Sequence, residues 1–60
     1  MYHVYKLLTD GKGNIVHKTP IAKCGTLKNA VIHAHTWSNG WHMGIYEIKP
    51  DGSEEKVVVY

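Results

Sequence analysis

Residues 26–40, TLKNAVIHAHTWSNG, form the one stretch of this chain whose apolar side chains recur at helical spacing. Leu27, Ala30, Val31, Ala34 and Trp37 fall on a single stripe, which predicts an amphipathic helix of about twelve residues. Thr26 stands where an N-cap is needed, because its hydroxyl can accept a hydrogen bond from an unpaired amide of the first turn. Asn39-Gly40 supplies the left-handed conformation that closes helices.

Both flanks change period. In YHVYKLLTDGKGNIVHKTP, β-branched and aromatic residues surround the glycine-rich turn Asp10-Gly11-Lys12-Gly13-Asn14, which predicts a hairpin with strands over 2–8 and 14–18. Pro20 cannot donate to a strand ladder and is expected to end the second strand. In WHMGIYEIKPDGSEEKVVVY, Pro50-Asp51-Gly52 suits a type I turn with a glycine bulge, giving strands over 41–49 and 54–60. The expected fold is therefore α+β: one small domain over residues 1–60, ββαββ, with an antiparallel four-stranded sheet and one helix packed on one face. Strand order does not follow from these signals.

A sheet covered on one side should alternate apolar and polar residues, because successive side chains point to opposite faces. Here both faces carry apolar groups. Trp41, Met43 and Ile45 oppose His42, Gly44, Tyr46 and Ile48; Val57 and Val59 oppose Lys56, Val58 and Tyr60; Tyr2, Val4 and Leu8 oppose His3, Tyr5 and Leu7. A contiguous apolar patch left by a single helix marks an interface, so Tyr5, His42, Tyr46, Ile48, Val58 and Tyr60 are candidate partner-binding residues. Ile32, outside the apolar stripe of the helix, joins them. A bulge near Gly44 that re-phases the strand is the simpler alternative. The terminal VVVY reads as a strand able to template pairing with another chain.

The contiguous HAHTWSNGWHMG holds three of the five histidines and both tryptophans. On a helix, where each residue advances about 100°, His33 and His35 lie roughly 160° apart and cannot share a metal. His33 and Trp37, four residues apart, would instead meet at the rim of the core, with Trp37 and Trp41 anchoring it. Convergence of Cys24, His17 and His42 on zinc has no support in their spacing, so neither a metal nor a cofactor is expected. No convergent acid, base and nucleophile can be named, which predicts a non-enzymatic protein without catalytic residues. DGKGN is followed by no helix and so is a turn rather than a phosphate loop. Cys24, just ahead of the helix, is a small semi-buried thiol whose position near a helix N-terminus could raise its reactivity.

The lone cysteine excludes an intramolecular disulfide, and no apolar run approaches the roughly 20 residues that span a bilayer. With no basic leader followed by an apolar run, the expectation is a cytoplasmic protein without membrane association. The net charge is +2, and every positive residue is a lysine. Without arginine, the planar bidentate fork that dominates base-specific readout is missing, although lysines alone can support weak, salt-sensitive backbone binding. Residues 1–30 carry five lysines against Asp10, whereas 31–60 carry Lys49 and Lys56 against four carboxylates. The expected function is a protein-interaction module, a homodimeric small regulator or inhibitor of a larger protein, acting through the sheet face or an edge strand. The alternative is single-stranded nucleic-acid binding, with bases stacked on Tyr5 and Tyr46 and phosphates tracked by Lys6 and Lys18.

Overall fold

The computed structural model describes residues 1–60, in the order β1 (Tyr2–Thr9), β2 (Ile15–Cys24), α1 (Leu27–Ser38), β3 (His42–Ile48) and β4 (Glu54–Val59). All strand pairs are antiparallel, and the sheet order is β2-β1-β3-β4. This is the expected small α+β architecture. Both hairpin turns close as their glycines dictate: Gly13 and Gly52 adopt φ of 85° and 89°, a region closed to most side chains. The Asp10 carboxylate accepts from the Lys12 and Asn14 amides, and that of Asp51 from the Ser53 amide and hydroxyl.

The caps of α1 also follow their local chemistry. Thr26 Oγ1 accepts from the Asn29 amide at 3.2 Å, and Asn39 at φ 37° followed by Gly40 at φ 86° turns the chain out of the helix. Ala30 and Ala34 face the sheet and are buried. Small side chains on that line let the helix axis settle close to the central strands. Val4 from β1 and Met43 and Ile45 from β3 fill the layer beneath, with Cys24 at its margin. Fully burying one such aliphatic side chain stabilises by about 1.5–3 kcal/mol.

Three expectations need correction. Pro20 does not end β2, which runs on to Cys24. β2 is an edge strand, so an absent amide there interrupts no inner ladder, and the register shifts beside Pro20 leave Ile21 unpaired between Ala22↔Val4 and Pro20↔Tyr5. A second shift leaves Val57 unpaired between Val58↔Ile45 and Lys56↔Tyr46. This bulge lies in β4 rather than at Gly44, and it turns Val58 to the helix side, where it packs on the core. Trp37 and Trp41 do not anchor the core; they are 56% and 49% exposed. The buried contact line of α1 is made of Ala30 and Ala34, and Trp37, in its last turn, and Trp41, past its end, line a surface groove instead.

Candidate interaction surfaces

The sheet face away from α1 carries His3, Tyr5, Leu7, Lys18, Tyr46 and Glu54, and it largely closes over itself. Leu7 is only 1% exposed although no helix lies above it. Gly44 explains this: a Cβ there would stand 3.0 Å from Tyr46 Cε1 and 3.1 Å from Leu7 Cδ1, so the missing side chain is a hollow that those two residues fill. Tyr5 meets Tyr46 edge-on, with ring centroids 5.3 Å apart, and donates its hydroxyl to Glu54 Oε2 at 2.5 Å. Lys18 lies over both tyrosine rings and 3.7 Å from Glu54 Oε1. His3 Nδ1 sits 3.2 Å from the Tyr5 hydroxyl and 3.7 Å from Glu54.

Lys18 is on β2 and Glu54 on β4, the two outer strands. Their ion pair therefore spans the face from edge to edge, above the tyrosines of β1 and β3. Burial, then the hydrogen bond to the Glu54 carboxylate and its charge, pushes the Tyr5 hydroxyl up to about 12. The same hydroxyl, followed in effect by Lys18, holds the Glu54 carboxyl below its ordinary value.

The candidate partner-binding residues are thus divided. Tyr5, Tyr46 and Ile48 share the face away from the helix, but Tyr5 is 9% exposed and occupied by its own contacts. His42 is exposed at the end of that face, its Nδ1 3.0 Å from the Tyr60 carbonyl oxygen. Val58 lies on the helix side, and the Tyr60 ring also turns there, 4.9 Å from the ring of His35. Ile32 is exposed on the outer side of α1. Of the two lysines considered for phosphates, Lys18 is paired with Glu54, and Lys6 stands on the opposite face. Cys24 is buried, as a small core residue would be. No three His, Cys, Asp or Glu side chains converge closely enough to hold a metal, and His33 and His35 leave the helix on different sides. The histidine that meets an aromatic ring at the helix end is His35, rather than His33 against Trp37.

The surface that sequence reasoning missed lies beyond the C-terminal end of α1, where β1 finishes and β3 begins. A groove of about 610 Å³ opens there between Trp37, Trp41, Ile21 and Lys6, with His35 and Asn39 at its helical wall. Lys6 Nζ stands 4.4 Å from the centre of the Trp41 ring. Trp37 and Trp41 are brought to one groove by the Asn39-Gly40 turn between them, and the Trp41 amide donates to the Ser38 carbonyl across that turn. The density of aromatic residues in HAHTWSNGWHMG was the available signal. No family model, curated protein or solved structure matches this chain.

Proposed function

We propose that the chain is a non-catalytic protein-interaction module whose principal contact surface is the tryptophan groove, with β4 as a second contact through which two copies pair. The observation that carries this reading is the half-exposure of both tryptophans on a single groove. Indoles left in water forgo roughly 25 cal/mol for every Å² they could bury. Tryptophan is also the residue most enriched where protein interfaces concentrate their binding energy. The two sheet edges differ in a way that fits the pairing. β2 carries Pro20, Lys18, Lys23 and two register shifts, which discourage another strand, whereas β4, charged at Glu54–Lys56 and with one shift at Val57, ends in exposed Val57 and Val59.

Nucleic-acid binding on the sheet tyrosines has less support. A base needs an accessible ring face, but Tyr5 is packed against Tyr46, and the nearby cation, Lys18, is taken by Glu54. A chain with no helix long and apolar enough to cross a membrane, and with one thiol, fits the cytoplasm as its place of action.

Residues kept for binding should contribute little to folding. Trp37→Ala is expected to change unfolding free energy by less than about 1 kcal/mol, as for an exposed site. Met43→Ala, which empties the core, should cost about 2–5 kcal/mol. Urea unfolding followed by circular dichroism measures both; a Trp37→Ala loss as large as that of Met43→Ala would return the indole to a structural role and remove the basis of the proposal.

A further inference from the structure

Lys6 occupies an unusual position: mid-strand in β1, half-buried, on the side of the sheet that α1 covers, with its ammonium resting on Trp41. None of the ion pairs of the molecule includes it. The five carboxylates of the chain are all placed elsewhere. Glu54 binds Lys18 and Glu55 binds Lys49; Asp10 and Asp51 are turned onto their own hairpins; Glu47 stands opposite Tyr2 and Glu55 in the strand register, at the far end of the sheet. The other ionisable group lining the groove is an imidazole, His35, and no acidic residue lines it.

From this charge balance we infer that the groove receives an acidic segment of a partner protein that also carries an aromatic or aliphatic side chain. One carboxylate of that segment meets Lys6, and an adjacent apolar side chain packs between Trp37 and Trp41. This rests on the protein-interaction reading and names the chemistry of its partner. A peptide fits better than a strand of nucleic acid because the groove offers one cation rather than a track of them. Its helical wall is the C-terminal turn of α1, the negative end of the helix dipole, which accepts peptide N–H groups and disfavours any anion beyond the one carboxylate that Lys6 can hold. The hydroxyls there are already committed as donors, Thr36 to the Ile32 carbonyl and Ser38 to that of His35, so what they present outward is acceptor capacity.

Both tryptophans line the groove, so intrinsic fluorescence reports occupancy directly. A random glutamate–tyrosine copolymer should produce a saturable change in tryptophan emission, excited at the red edge where tyrosine does not absorb, and added salt should weaken it. A lysine–tyrosine copolymer should give none. Lys6→Met should weaken binding about tenfold or more, as expected for losing a charge-assisted hydrogen bond. Lys6→Arg should largely retain it, and Lys18→Met, which alters the other face, should leave it unchanged. Circular dichroism identifies a Lys6 variant that fails to fold, in which case the Arg and Lys18 variants and the salt dependence still decide. Equal responses to acidic and basic copolymers would overturn the charge assignment while leaving a protein-binding groove. A stronger response to oligothymidylate than to the acidic copolymer would overturn both, and so would silence toward every probe.

Discussion

Tyr5 shows how one residue can be read correctly as placed on a face and incorrectly as available on it. Alternation in YHVYKLL puts its ring on one face with His3 and Leu7, which the structure leaves uncovered by the helix, but nothing in the sequence shows that Glu54, far along the chain, will reach its hydroxyl. The same is true of Leu7, whose burial depends on a hollow at Gly44. The hydroxyl gives a test at this scale. An unfolded tyrosine ionises near 10, whereas Tyr5 in the folded chain holds its proton to about 12. Between these values only the unfolded chain releases the proton, so this group lowers stability as pH rises from about 10 to 12. Tyr5→Phe should show a shallower alkaline loss than the natural chain when urea midpoints are compared across that window; parallel curves would mean that the hydroxyl is not held as described. Glu54 acts in the opposite range, its contribution present above the ordinary carboxylate value and lost as pH falls through its lowered one.

At the scale of elements, the helix and both turns were legible because their signals are local. A cap, a stripe and a left-handed closure lie within fifteen residues, and each glycine turn is decided by the φ it must adopt. Thr26→Ala should therefore cost about 1 kcal/mol. Asn39→Gly, which removes the steric penalty of a left-handed residue, should raise stability by up to about 1 kcal/mol. Thermal unfolding of the two variants checks both signs. What failed at this scale were inferences that depend on neighbours. Pro20 was a stop only if its strand lay inside the sheet, and Trp37 belonged to the core only if the helix stood far enough from the sheet to admit it. Alanine at positions 30 and 34 sets that distance. The bulge at Val57 likewise reversed the side on which Val58 falls, and no residue there announces it.

For the whole molecule, strand order was the missing quantity, because pairing β1 with β3 joins segments separated by β2 and the helix. That order places the lysine-bearing strand at one border of the sheet and the glutamate-bearing strand at the other, and lets Lys18 and Glu54 meet across it. It also leaves the tryptophan groove where the first hairpin extends past the helix. On the proposed pairing along β4, sedimentation should show a dimer that Val59→Lys disperses to monomer; a natural chain monomeric at all concentrations would remove that part of the proposal. Within that proposal, the unequal borders would set the valence of assembly. Once two copies have joined their β4 strands, the only borders left are two β2 strands, each interrupted at Pro20 and Ile21. On that proposal growth would end at a pair, and the proline expected to end a strand would end a polymer instead.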